Sequence, residues 1–348
     1  MSRRAEVIVA GAGALGLSTA LALADAGCSV TVCDPATEPN ASAVAAGMLA
    51  PVFEAALDAE TAGDLDLLMA ARNLWPGLAA RTGIEIDRSG TAALGSEAWL
   101  AAVRAGLTRL GVRGTDLPRA MLEDHAPGIA PGLQAVLMRE DWRLEPRPAL
   151  NGLRRAAQAA GVAFRDEAVA GRGAADWLVA ATGAAQGLAE LAPELSGLSP
   201  IKGQILRFSE VRGGRMSLRG EGAYAVPGAD GLAVGATMEP GVSDTRVDPV
   251  ALKPLVRAAG GLFPELAEAT FGVSVGVRAA TPDGLPMVGL SETPGVLLAV
   301  GARRNGWLLA PLVAEIVTAC VTGRDPGPYA ARFDPTRFGS GRIGGGAG

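Results

Sequence analysis

A chain that does acid–base or metal chemistry with its own side chains needs histidines, cysteines or clustered carboxylates, and this one offers few. Its 348 residues include one histidine, His125, set in the turn signal Asp124-His125-Ala126-Pro127-Gly128. It reads as an exposed loop residue with no catalytic role. Cys28, Cys33 and Cys320 follow no metal-ligand spacing and do not pair evenly into disulfides. Cys28 and Cys33 fall in an apolar strand and read as small core residues. No metal is expected, and a borrowed cofactor becomes the economical source of reactivity.

The motif able to hold such a cofactor is Gly11-Ala12-Gly13-Ala14-Leu15-Gly16. It follows an apolar strand, 6–10, and opens an Ala- and Leu-rich helix, 14–26, that stops at Gly27. A second β-rich run, 29–33, is closed by Asp34-Pro35, which completes a βαβ unit of the usual length. In such a turn Gly11 permits the tight bend and Gly13 lets backbone N–H groups approach a pyrophosphate. Gly16 lets helix and strand pack closely. Asp34, 18 residues past Gly16, is placed to accept hydrogen bonds from ribose hydroxyls, and its charge disfavours a 2′-phosphate. The motif by itself fits FAD and NAD equally.

The elements around it follow an α/β grammar at both ends of the chain. A helix is expected over 61–81, strands over 84–94 and 134–138 with a helix at 96–110 between them, a helix over 146–160, and strands at 162–164 and 176–181. From Pro200 short strands at 203–208, 223–226 and 232–235 read as antiparallel, with a turn at 227–231. A helix at 249–261 and a strand at 271–277 follow. The end reverts to strand 296–300, Gly301 and a helix over 305–321. The expected fold is α/β: a Rossmann-like dinucleotide-binding domain (1–84, 143–196 and 276–338) interleaved with an antiparallel-sheet α+β substrate domain (85–142 and 197–275). A disordered Gly-rich tail is expected at 339–348.

Composition narrows the partners. With 49% hydrophobic and 19% charged residues and a net charge of -5, the chain reads as ordered and globular, with no basic face for nucleic acid. No run of about 18 apolar residues lacks glycine breaks, and no cleavable apolar stretch follows Met1-Ser2-Arg3-Arg4, so a cytoplasmic protein is expected.

Several further segments resemble the glycine oxidase branch of the D-amino-acid oxidase family. They are 42–51 (SAVAAGMLAP), 141–146 (DWRLEP), Lys202-Gly203-Gln204, 224–238 (YAVPGADGLAVGATM), 278–289 (RAATPDGLPMVG) and 304–311 (RNGWLLAP). They recur in order along almost the whole chain. The resemblance implies non-covalent FAD. Besides Gly11, Gly13, Ala14, Leu15, Gly16, Asp34 and Pro35, it would touch Ala41, Ser42, Ala46, Gly47, Met48, Val169, Gly183 and the run Ala302, Arg303, Arg304, Asn305, Gly306, Trp307 and Leu308. Such contacts make physical sense. Ala45, Ala46 and Gly47 are small enough for backbone to lie against a flat ring, although the bland reading of 41–50 is an ordinary apolar helix. A helix starting near Arg304 would aim its positive end at the charge of a reduced flavin. Behind that first turn, Leu308, Leu312, Ile316 and Cys320 lie in a broad apolar stripe that reads as core.

By the same resemblance Arg278 forks onto a substrate carboxylate, a task suited to a planar bidentate donor. Tyr224 adds a hydroxyl, Arg304 is a second active-site arginine, and Met48 and Met238 line the pocket. Read as plain structure, Arg278 is a surface ion pair, Tyr224 a strand aromatic and the methionines packing. One departure stands out: Ala302-Arg303 replaces a histidine and an aromatic of the family, opening space and placing an extra charge by the flavin edge. The implied activity is oxidative deamination of glycine or a similar small amino acid, with molecular oxygen as acceptor and hydrogen peroxide as product, in thiazole synthesis for thiamine. The alternative is a D-amino-acid, sarcosine or imino-acid oxidase or dehydrogenase. An NAD-dependent dehydrogenase and a non-catalytic flavin-binding protein are the readings from other classes. A homo-oligomer is compatible with all of them.

Overall fold

The computed structural model describes residues 3–35 and 40–338, so the expected tail at 339–348 lies outside the described residues. The chain begins with strand Glu6–Ala10, helix Ala14–Asp25 and strand Ser29–Cys33. The two strands share one burial pattern and pair in parallel, Ile8 opposite Thr31 and Ala10 opposite Cys33. The helix ends at Ala26, followed by Gly27 at φ 88°, where a side chain would be strained.

Among the described residues this unit seeds a six-stranded sheet in the order Met287–Leu290, Val296–Val300, Trp177–Ala180, Glu6–Ala10, Ser29–Cys33, Ala163–Arg165. All neighbours run parallel except the first pair, an antiparallel hairpin. A second, nine-stranded sheet is antiparallel apart from the pairing of Ser217–Arg219 with Thr91–Gly95. Its longest ladder joins Ser199–Phe208 to Gly272–Ala280, from Ser199 opposite Ala280 to Arg207 opposite Gly272. That last strand is continuous across residue 275, so the expected boundary between 275 and 276 falls inside one element. A small third sheet joins Met48–Leu49 and Ile86–Asp87 to Trp142–Leu144.

Helix Gly306–Thr322 is buried almost all round, as its broad apolar stripe requires: Leu308, Leu309, Leu312, Val313, Ile316 and Val317 all sit in the core. It packs against helices Ala14–Asp25 and Leu65–Thr82, where Trp75 donates its indole N–H to the Trp307 carbonyl at 3.1 Å. One helix thus ties the nucleotide unit to the rest of the core.

Several expectations need correction. The helix expected over 61–81 is Leu65–Thr82, and a separate helix, Pro51–Leu57, precedes it. The expected strand over 84–94 is two, Ile86–Asp87 and Thr91–Gly95, separated at Gly90, whose φ of 94° turns the chain. His125 is no exposed loop residue. It ends helix Arg119–His125, is half-buried, and its carbonyl accepts the N–H of Arg215 at 2.8 Å. The apolar helix considered for 41–50 is instead a short helix, Ala41–Val44, capped by the Asn40 side chain, then a turn and strand Met48–Leu49.

Candidate active site

A cavity of about 980 Å³, at the upper end of the range for small-molecule sites, begins at the carboxyl ends of the parallel strands and continues to the antiparallel sheet. Its first end is walled by Gly11, Gly13, Ala14, Leu15, Asp34, Pro35, Ala41, Ser42, Val169 and Gly183. Glycine, alanine and serine make up most of these residues. Gly11 has φ 112°, and a Cβ there would stand 2.4 Å from the Ala181 carbonyl oxygen. Helix Ala14–Asp25 starts on Gly13, which has no side chain to cap it; Ser42 does so from the next segment, its hydroxyl accepting the Ala14 N–H at 3.0 Å. Asp34 accepts the Ala12 N–H at 2.6 Å, so its carboxylate braces the glycine loop as well as facing the cavity. A glycine loop with no room for a Cβ at Gly11, at a helix N-terminus beside an acid, fits a dinucleotide.

The structure does not bring every expected residue to the wall. Gly16 lies behind it, where a Cβ would come within 2.0 Å of the Gly11 carbonyl oxygen, so its part is the helix–strand contact. Leu308 is buried in the core. Ala46, Gly47, Met48 and the run from Ala302 to Trp307 do line the cavity. Gly47 has φ 77°, and a Cβ would stand 2.1 Å from the Leu144 carbonyl oxygen. Trp307 donates its indole N–H to the Ser42 carbonyl at 3.0 Å, which fixes the start of helix Gly306–Thr322 against the 41–44 segment. These small residues and that helix end make a wall suited to a flat, electron-rich ring.

At the far end the wall carries Tyr224, Met238 and Arg278. Arg278 comes from the long ladder, opposite Ile201, and its guanidinium lies over Gly203, where a Cβ would stand 2.4 Å from Nη1. The Tyr224 hydroxyl lies over Gly235 in the same way, 2.6 Å from a Cβ placed there. Bare backbone on the strands thus makes room for both side chains. Among the described residues no carboxylate pairs with Arg278; its Nη1 reaches the Thr237 carbonyl at 3.4 Å and the Met238 sulfur at 3.5 Å. Burial lowers its pKa, partly offset by Tyr224, and burial raises that of the Tyr224 phenol.

Two residues the sequence reading missed dominate the electrostatics. Glu54, on helix Pro51–Leu57, and Arg219, at the end of Ser217–Arg219, both line the cavity, and their side chains are bonded to each other. Glu54 also accepts from Arg304 at 2.7 Å. Burial pushes the Glu54 carboxyl up, but the charges of Arg219 and Arg304 outweigh it and hold the pKa at about 2. Arg304 has a second partner in Asp58 at 3.2 Å. Arg303, one of the described residues, has the left-handed φ of 47° without being glycine and is bonded to Asp58 and to Glu60 at 2.9 Å. The extra charge that Arg303 brings to the cavity wall is therefore paired with acids. Behind Glu54, fully buried Asp141 accepts the Val52 and Phe53 N–H groups at 2.8 and 3.1 Å, capping helix Pro51–Leu57. Burial pushes its carboxyl up to about 7 despite those bonds. A charged residue inside an apolar run such as 51–57 is the signal that marks Glu54 as more than packing.

A parallel-sheet dinucleotide site opening onto an antiparallel sheet that offers an arginine accords with a flavoprotein oxidoreductase. The chain belongs to the FAD dependent oxidoreductase family (DAO), whose pattern matches residues 6–320. It is 36% identical over 126 residues to glycine oxidase of Geobacillus kaustophilus, covering 35% of this chain and 33% of that protein. It is 34% identical over 123 residues to the bifunctional protein ThiO/ThiG of Trichormus variabilis, 35% of this chain and 19% of that protein. The matched stretches thus span a third or less of these relatives. The crystal structure of glycine oxidase from Geobacillus kaustophilus superposes with a TM-score of 0.81 at 26% identity, covering 97% of this chain and 99% of that one. That of iminodiacetate oxidase from Chelativorans sp. BNC1 shares the fold, with a TM-score of 0.81 at 24% identity over 94% of this chain and 98% of the other.

Proposed function

We propose that this protein oxidises glycine, or a similarly small amino acid with one carboxylate, to the imine, which hydrolyses to the oxo acid and ammonia. Bound FAD supplies the two-electron acceptor for this chemistry, and molecular oxygen regenerates it with release of hydrogen peroxide. Arg278 carries the reading: a guanidinium in the cavity wall, unpaired with any described acid, is a binding place for a carboxylate. Tyr224 adds a hydroxyl beside it, Met48 and Met238 border the pocket, and Ala302 leaves space near the ring-binding wall. The chain contributes orientation and enclosure rather than an acid–base group at the carbon. Glycine oxidase and ThiO/ThiG among the relatives support a place in thiazole synthesis for thiamine. No helix among the described residues is long and apolar enough to cross a membrane, which accords with a cytoplasmic enzyme.

The test is anaerobic titration of the purified yellow protein with glycine, sarcosine and a panel of D-amino acids. Glycine is expected to bleach the flavin absorbance at the lowest concentration. A protein bleached by larger D-amino acids or imino acids in preference to glycine would move the assignment to those substrates. One bleached by none would remove the oxidase reading.

A further inference from the structure

Resting on the reading of Arg278 as the carboxylate anchor, we propose that Glu54 is a specificity-determining residue that restricts this cavity to amines with one acid group. Four guanidiniums, those of Arg219, Arg278, Arg303 and Arg304, reach the cavity wall. A site so rich in cations would ordinarily attract a diacid. The acids on helix Pro51–Leu57 and just after it prevent that. Glu54 is bonded to Arg219 and, at 2.7 Å, to Arg304; Asp58 is bonded to Arg303 and, at 3.2 Å, to Arg304. Arg278 is left as the guanidinium without a carboxylate among the described residues.

Glu54 is itself part of the wall, only 5% exposed, and it is held ionised down to about pH 2. A second carboxylate approaching Arg219 would meet that buried negative charge at low effective dielectric and be repelled. Arg219 is the cation such a group would seek. It is 9% exposed, Glu54 is the acid bonded to it, and its Nε has no partner among the described residues. Arg304 would keep Asp58 if Glu54 lost its charge, whereas Arg219 would be released. Charge at position 54 therefore decides whether the cavity takes one acid group or two.

The experiment is calorimetric titration of the FAD-loaded protein with acetate, a monoacid, and malonate, a diacid. The parent should bind acetate at least tenfold more tightly than malonate. In Glu54→Gln, which keeps a hydrogen-bonding side chain of the same size, the ratio should shift at least tenfold toward malonate. Adding Arg219→Gln should return it toward the parent value. A parent that binds malonate as tightly as acetate overturns the proposal, as does a Glu54→Gln protein in which both affinities change equally. Should that variant fail to hold FAD, the parent ratio alone decides. The readout is independent of turnover. Acetate preference in a protein that bleaches with no amine would sink the oxidase reading and leave Glu54 in place, and glycine oxidation with equal acetate and malonate binding would do the reverse.

Discussion

The two ends of the cavity are built from opposite materials. At the nucleotide end the wall is small residues and backbone: Gly11 and Gly13 without Cβ atoms, a helix start, and the Ala12 and Ala14 N–H groups donated to Asp34 and Ser42, which brace the loop. At the substrate end it is charge, with Arg219, Arg278 and Arg304 set around Glu54. Geometry selects the ligand at the first end, because a cradle lined by N–H groups accepts any phosphate that fits. Charge balance selects it at the second, because a further carboxylate is attracted less to a guanidinium whose charge a buried acid already offsets. Damage should therefore differ in kind: steric at one end, electrostatic and pH-dependent at the other.

The largest effect is expected from Gly16→Val. Its Cβ would fall 2.0 Å from the Gly11 carbonyl oxygen and 3.3 Å from the Ala181 Cβ, contacts that backbone cannot yield. The protein should lose FAD and most of its folded yield, measured as the absorbance of bound flavin per mole of purified chain. A Gly16→Val protein that kept its full flavin content would break the steric account of that end.

A smaller effect, of a different kind, is expected behind the substrate end. The buried Asp141 carboxyl is raised to about 7, so the folded protein holds its proton to higher pH than the unfolded chain does. Stability from this group is present at low pH and is lost as pH rises from about 4 to about 7, on the order of a few kcal/mol in all. Glu54 has the opposite sign: its depressed pKa stabilises above the ordinary carboxylate range, and that is lost as pH falls toward about 2. The margin in Tm of the parent over Asp141→Asn should accordingly shrink between pH 4 and pH 7. A margin that grows with pH would mean that the Val52 and Phe53 N–H groups keep Asp141 ionised.

The same contrast explains what could be read from the chain beforehand. The nucleotide end is local: its strand, glycine turn, helix and acid fall within 30 consecutive residues, so spacing alone places Gly11, Gly13 and Asp34. The substrate end is assembled from segments near 54, 219, 278 and 304, and a charge pair between residues 165 apart leaves no periodic trace. Arg278 and Tyr224 became visible through a family resemblance. Glu54 and Arg219 did not, because helix Pro51–Leu57 and strand Ser217–Arg219 are short and the first hides in an apolar run. Arg303 shows the other side of that limit: its residue type announces an extra charge but not its partners, the distant acids Asp58 and Glu60. His125 is hidden from sequence reading for a related reason, since its turn-like neighbours end a helix that tertiary packing half buries.

On this account Arg278 anchors the substrate carboxylate while the nucleotide end of the cavity holds the cofactor. Anaerobic glycine titration of Arg278→Ala tests it most directly. The variant should retain flavin at the parent level, yet need at least a hundredfold more glycine for half-bleaching, corresponding to about 3 kcal/mol of lost binding. Bleaching at the parent's glycine concentration, with flavin content unchanged, would contradict the assignment.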